Sequence, residues 1–291
     1  MRTLVASVAV ASLLLAACAG DDDGGGAPDP ERPITFGGAR SVMLQVPSTF
    51  DPARTYPLLL ILHGYSGNGF VQQAFLGLQG VADREELFVL APDGTVDSQG
   101  KQFWNADPVC CDFGNTGVDD VAYLGGLIED VRAAWPVDPA RIWVVGHSNG
   151  SYMAYRLACE RADVVTAIAG LAGAAASVPA SCTPSRAVHV LHMHGTDDDT
   201  VPYEDAGVRL GALTSVTQWA GHDGCTGAIA AAGRKDLDDG LPGDETAVDA
   251  FAGCPADGAV ELWTIEGGGH LPALAPSFPA ELLGWLGAHT R

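Results

Sequence analysis

Gly146-His147-Ser148-Asn149-Gly150 places a serine between two glycines, directly after an apolar run and directly before a stretch with helical spacing. A strand, a sharp turn and a helix in that order push a hydroxyl out at the end of a sheet, and the glycines give the crowded turn room. A serine hydroxyl is a weak nucleophile until a base takes its proton, and the base needs an acid to fix its tautomer. Both partner types lie downstream. The segment HGTDDDTVPY, from His194 to Tyr203, holds three adjacent aspartates after one apolar run, and Glu266-Gly267-Gly268-Gly269-His270 follows another. Chemistry alone leaves Asp197, Asp198 and Asp199 open as the acid, while His270 on its glycine loop is the candidate base. An oxyanion forming at the attacked carbonyl needs two backbone N–H donors. Asn149, next after Ser148, is expected to give one, and Tyr65 in His63-Gly64-Tyr65-Ser66-Gly67 the other. His63, His147 and His194 are read as histidines that order loops by hydrogen bonding. His192 and His194 beside the aspartates are not read as a metal site, since a metal would remove the acid from service and no CxxC or HExxH spacing is present. No cofactor is required.

These residues need a sheet to carry them. Pro57-Leu-Leu-Leu-Ile-Leu62 and Leu87-Phe-Val-Leu-Ala91 are short continuous apolar runs, as expected of strands buried on both faces. Arg141 to Val145, Val164 to Ile168, Val188 to Met193 and Val260 to Ile265 repeat the pattern, and Ser41 to Val46 predicts an early strand. Between them Val121, Leu124, Ile128, Val131 and Trp135 recur at steps of three and four, with Asp119 or Asp120 placed to cap a helix. A second helix follows Ser148, and a terminal one is expected around Ala280 to Ala288. Alternating strand and helix predicts a mostly parallel central sheet covered on both faces, and the chain order Ser, Asp, His belongs to the α/β-hydrolase fold. Gly221 to Cys254 has weak periodicity and is expected to be an excursion tied by a disulfide.

The chain has 291 residues and a formal net charge of -21. That charge excludes electrostatic docking on nucleic acid or on anionic lipid, because both depend on Lys and Arg. Arg2, the apolar run from Leu4 to Leu15 and then Leu15-Ala16-Ala17-Cys18 predict a cleaved export signal over 1–17. Leu-Ala-Ala-Cys resembles a bacterial lipobox, which makes Cys18 the lipidated first residue and the membrane a partner through that anchor. Residues 18–33, rich in Gly, Asp and Pro, are expected to be a tether, and 34–291 the catalytic domain. Six cysteines remain, an even set in an exported protein, and they allow 15 connectivities. Pairing Cys225 with Cys254 and Cys159 with Cys182 closes moderate loops, each stabilising by roughly 3 kcal/mol. Cys110 and Cys111 are left as a vicinal pair.

Five blocks resemble the extracellular polyhydroxybutyrate depolymerase and feruloyl esterase group: LLLILHGYSGNG, APDGT, FWNADPVCC with GVDDVAYLGGLI, VDPARIWVVGHSNGSYMAYRLACE, and HMHGTDDDTVPY followed by EGGGHLPAL. The resemblance runs from about Leu58 to the C-terminus. It implies a serine carboxylic ester hydrolase, with Ser148 as nucleophile, His270 as base and Asp198 as acid. Phe103 and Trp104, in the third block, are candidate substrate-binding rings, since a flat aromatic face suits a polyester or a feruloyl ring. Two positions depart from the family pattern: Leu271-Pro272 stands where a tryptophan often follows the histidine, and Ser151 where a third glycine is common. The first leaves the substrate open between a hydroxyacid polyester and a feruloyl or acetyl ester of plant polysaccharide, and the second is a small-for-small change. Peptide cleavage, acyl transfer and a non-catalytic surface lipoprotein are the other readings.

Overall fold

The computed structural model describes residues 32–291. The expected export signal, Cys18 and most of the expected tether lie outside the described residues. Arg32 and Pro33, the last two tether positions, are tied down: Arg32 donates to the Ala134 carbonyl and the Trp135 indole donates to the Pro33 carbonyl.

Along the chain the strands are β1 Thr35–Phe36, β2 Val42–Met43, β3 Tyr56–Leu62, β4 Phe88–Leu90, β5 Thr95–Val96, β6 Gln102–Phe103, β7 Val137–His147, β8 Ala167–Leu171, β9 His189–Gly195, β10 Ile229–Lys235, β11 Thr246–Phe251 and β12 Val260–Ile265. The helices are α1 Gly69–Phe75, α2 Val81–Arg84, α3 Asp120–Ala134, α4 Asn149–Glu160, α5 Ala212–Asp223 and α6 Phe278–Ala288. The central sheet has eight strands in the order β10-β11-β12-β9-β8-β7-β3-β4. Its six strands from β12 to β4 pair in parallel, and β10 and β11 close one edge antiparallel. β1 with β2, and β5 with β6, form separate two-stranded ladders.

The reason for the continuous apolar runs is visible in β3. Successive side chains point to opposite faces; Leu58, Leu60 and Leu62 join the core beneath α3, α4 and α5, and Leu59 and Ile61 join the core beneath α6. In α3 the expected stripe is buried, and the cap falls to Asp119, whose carboxylate accepts from the Ala122 amide at 2.8 Å. Asp120 instead is paired with Arg40 at 2.6 Å.

Three expectations need correction. Ser41 to Val46 forms only the two-residue β2 plus a bridge from Gln45 to Val89. Val164 and Val165 are not strand, because their amides donate back to the Arg161 carbonyl in a turn that prolongs α4. Gly221 to Cys254 is more than an excursion: it closes α5 and supplies β10 and β11 to the sheet edge. Disulfides join Cys110 to Cys111, Cys159 to Cys182 and Cys225 to Cys254.

Candidate active site

β7 runs into Ser148 and α4 begins at Asn149, so the serine sits on the turn itself with φ 54° and ψ -122°. That region is unfavourable for a residue with a side chain, and the packing around it enforces it. A Cβ on Gly146 would lie 2.1 Å from the Gly150 carbonyl oxygen, and one on Gly150 would lie 2.2 Å from the Leu62 carbonyl oxygen. Only glycine lets strand, turn and helix close to that distance. The Ser148 amide donates to the Leu171 carbonyl at 2.8 Å, which anchors the turn to β8.

The loop after β9 selects among the three aspartates. Asp197 and Asp199 are exposed, and Asp198 turns inward and is buried. Its Oδ1 accepts from the amides of Thr200 and Val201 at 2.9 and 2.8 Å. Its Oδ2 accepts from His270 Nδ1 at 2.8 Å. Burial pushes this carboxyl up, but hydrogen bonds from His194, His270, Val201 and Thr200 together outweigh burial and hold it well below the usual carboxylate range. Across the imidazole, His270 Nε2 stands 3.0 Å from Ser148 Oγ and accepts from it. The structure therefore brings Ser148, His270 and Asp198 into one hydrogen-bonded line at the C-terminal ends of β7, β12 and β9.

The neighbouring histidines hold this line in place. His147 Nε2 donates to the His270 carbonyl at 2.9 Å, and its ring lies between those of Phe75 and His270. Burial pushes His147 down to about 4, so it serves as a neutral donor. His63 Nδ1 donates to the Gly64 carbonyl, and its Nε2 accepts from the Gly94 amide. A second arm reaches Asp198 from below. Tyr155 O–H donates to His192 Nδ1 at 2.9 Å, His192 Nε2 to His194 Nδ1 at 3.1 Å, and His194 Nε2 to the Val201 carbonyl at 2.9 Å. Because a carbonyl only accepts, the last bond fixes the tautomer of every ring before it. The same His194 Nε2 is 3.3 Å from Asp198 Oδ2. His192, set aside above as a metal ligand, and Tyr155 are not assigned to this arm by the sequence. Two histidines at i and i+2 on a strand share one face, and that spacing was the available signal.

Around Tyr65 the loop's donors are occupied: Gly64 N–H by Gln72, Ser66 N–H by Gln102 and Gly67 N–H by Gly64. The amides of Tyr65 and Asn149 have no protein acceptor among the described residues. The Asn149 side chain is committed elsewhere, bonding both the amide and the carbonyl of Trp104 at 2.7 and 2.9 Å.

Phe103 and Trp104 do not form an exposed aromatic platform. Trp104 is fully buried and its indole donates to the His63 carbonyl; Phe103 is 1% exposed. The Trp104 ring packs against His63, with centroids 5.0 Å apart, and Asn149 draws its backbone onto the elbow. The rings beside Ser148 are Tyr65 and Phe113, whose centroids are 5.3 Å apart, with Phe113 66% exposed. They line a cavity of about 160 Å³ that also contains Ser148, Tyr152, Arg209 and the Cys110–Cys111 disulfide. Ser151 is fully buried and its hydroxyl has no partner among the described residues, so it is a less innocent replacement for glycine than its size implies. Among the described residues no group of three or more His, Cys, Asp or Glu is arranged to hold a metal.

The sheet, the elbow and the loops that follow β9 and β12 make this chain an α/β hydrolase. The model of the family described as esterase PHB depolymerase matches residues 41–253, and the chain belongs to that family. It is similar to feruloyl esterase B of Piromyces equi, 29% identical over 243 residues that cover 79% of this chain and 42% of that protein. It is also similar to probable feruloyl esterase C of Aspergillus niger, 30% identical over 193 residues, 64% of this chain and 63% of that one. The chain thus spans less than two thirds of either relative's length. Among solved structures, acetyl xylan esterase from Aspergillus awamori superposes with a TM-score of 0.61 at 13% identity, covering 85% of this chain and 94% of the other. That likeness carries the fold.

Proposed function

We propose that the protein is an exported serine carboxylic ester hydrolase. The observation that carries this reading is the continuous line from Asp198 through His270 to Ser148, at 2.8 and 3.0 Å, beside the Tyr65 and Asn149 amides, which have no acceptor among the described residues. Ser148 Oγ attacks the ester carbonyl while His270 Nε2 takes its proton. Asp198 holds the Nδ1–H tautomer and stabilises the imidazolium, and the amides of Tyr65 and Asn149 receive the oxyanion. His270 then protonates the departing alcohol, leaving Ser148 acylated. Water, deprotonated by His270, releases the acid and restores the serine. Losing one oxyanion donor raises such a barrier by about 3 kcal/mol.

Within this class a short hydroxyacid polyester is the first reading, supported by the family match and by a small cavity with apolar walls beside Ser148. Feruloyl or acetyl esters of plant polysaccharide are the second reading, supported by the named activities of the relatives. Lipid attachment at Cys18 accompanies export in this account, and the three disulfides suit an oxidising compartment. Initial rates on soluble 3-hydroxybutyrate oligomers and on methyl ferulate, with Ser148→Ala as blank, test it. Preference for the oligomers supports the polyester reading, preference for ferulate moves it to plant esters, and rates equal to the blank on both refute esterase action on these substrates.

A further inference from the structure

Two donors without partners among the described residues line the cavity that holds Ser148. Arg209 lines it, on an exposed turn closed by paired backbone bonds between Ala206 and Arg209. Its guanidinium makes no ion pair or hydrogen bond with the described residues. Tyr152, one turn along α4 from Ser148, lines the same cavity, and its hydroxyl also has no hydrogen-bond partner among them. The two are near enough to interact: burial pushes the Tyr152 hydroxyl up to about 12, and the Arg209 charge pulls it the other way.

The rest of the cavity gives a cation no reason to be there. Val109, Phe113, Val201 and the Cys110–Cys111 disulfide are apolar walls, and no carboxylate lines the space. The acids that act on Tyr152 are committed, Asp107 to Ser177 and Val109, and Asp198 to His270 and the Thr200 and Val201 amides. The chain has 36 acidic residues against 15 basic ones. Elsewhere it uses that surplus to pair its arginines, as at Arg54, Arg161 and Arg234. A guanidinium left open beside the nucleophile, in a chain whose overall charge repels anions, is placed where an anion must be accepted.

We propose that Arg209, with Tyr152, binds a free carboxylate on the ester substrate, so that the preferred substrate class is an ester of a carboxyl-bearing acid or alcohol. The terminal unit of a hydroxyacid oligomer has that chemistry, with the carboxylate on the alcohol half of the last ester bond. This inference rests on the esterase reading. Arg209 is a specificity residue in it, and takes no part in proton transfer.

The test is a substrate-pair comparison in wild type, Arg209→Gln, Arg209→Glu, Arg209→Lys and Tyr152→Phe. One pair is p-nitrophenyl hemiglutarate against p-nitrophenyl valerate, with the carboxylate on the acyl half. The other is the 3-hydroxybutyrate trimer against its methyl ester, with the carboxylate on the alcohol half. In at least one pair the ratio of kcat/KM, charged over neutral, falls by about ten- to a hundredfold in Arg209→Gln, as for loss of a charge-assisted hydrogen bond. It falls further in Arg209→Glu, less in Tyr152→Phe, and is largely restored in Arg209→Lys. The pair that responds locates the carboxylate. Ratios that move less than threefold in both Arg209→Gln and Arg209→Glu, for both pairs, overturn the inference. Failure of the esterase reading is separate: wild type would then cleave the neutral esters no faster than Ser148→Ala.

Discussion

His194 and His270 converge on a single oxygen: Asp198 Oδ2 lies 3.3 Å from His194 Nε2 and 2.8 Å from His270 Nδ1. His194 is buried and leads away from the site toward His192 and Tyr155, whereas His270 faces Ser148. The carboxylate is therefore held from two sides, and its free rotation is blocked by the Thr200 and Val201 amides on the other oxygen.

Removing the inner arm should loosen the acid without touching substrate. His194→Ala is expected to lower kcat by about tenfold or more, the effect of losing one hydrogen bond to a charged group. KM for a small neutral ester stays within about a factor of two, because His194 is away from the cavity. Steady-state kinetics on p-nitrophenyl butyrate separate the two constants. A variant with unchanged kcat would show that the second arm does not support Asp198.

Asp223, at the end of α5, gives the chain a pH-dependent weakness. Burial pushes its carboxyl up to about 7, against the Val188 amide bond and helped by the Asp257 charge, and its Oδ2 has no partner among the described residues. The unfolded chain releases this proton near pH 4 and the folded chain only near 7. Stability is thus lost as pH rises across that window, the reverse of Asp198, whose depressed pKa adds stability that is lost only as acid protonates it. Asp223→Asn keeps the Val188 bond and is expected to gain on the order of 2 kcal/mol over wild type at pH 8, with little gain at pH 4. Urea midpoints at both pH values measure it; an equal difference at both contradicts the assignment.

Ser151 carries a hydroxyl into a fully buried site with no acceptor or donor among the described residues to meet it. Ser151→Ala keeps the Cβ contacts and removes the unpaired group, so unfolding free energy should rise by about 1 kcal/mol. A destabilised variant would mean the hydroxyl has a partner, for example an ordered water.

Much of this architecture was legible because it depends on local patterns. The apolar runs at Leu58 to Leu62 and Val260 to Ile265 have one interpretation in a chain that alternates them with helical stretches. The elbow was equally plain, since no common alternative needs Gly146 and Gly150 around a serine between strand and helix. The edge strands were not legible: Ile229 to Lys235 and Thr246 to Phe251 are small-residue, largely unburied segments in which Ala, Gly and charged residues replace the bulky Leu, Ile and Val of the buried strands. Val164 and Val165 misled for the opposite reason, being apolar in a turn. Phe103 and Trp104 read as candidate substrate rings because composition does not report direction; the bonds with Asn149 and to the His63 carbonyl that draw Trp104 inward span 45 and 41 residues. The Tyr155–His192–His194 arm depends on contacts between α4 and β9 and has only the i, i+2 spacing to announce it. Arg209 gave no sequence signal, because its significance is the lack of a partner among the described residues.

The central claim is that Ser148 is the nucleophile activated by His270. Reaction with a fluorophosphonate, followed by peptide mass spectrometry, tests it most directly. A single adduct approaching one equivalent is expected on Ser148, formed far more slowly in His270→Ala and absent in Ser148→Ala. No adduct on Ser148 in the folded wild-type protein, or labelling at the same rate without His270, would contradict it.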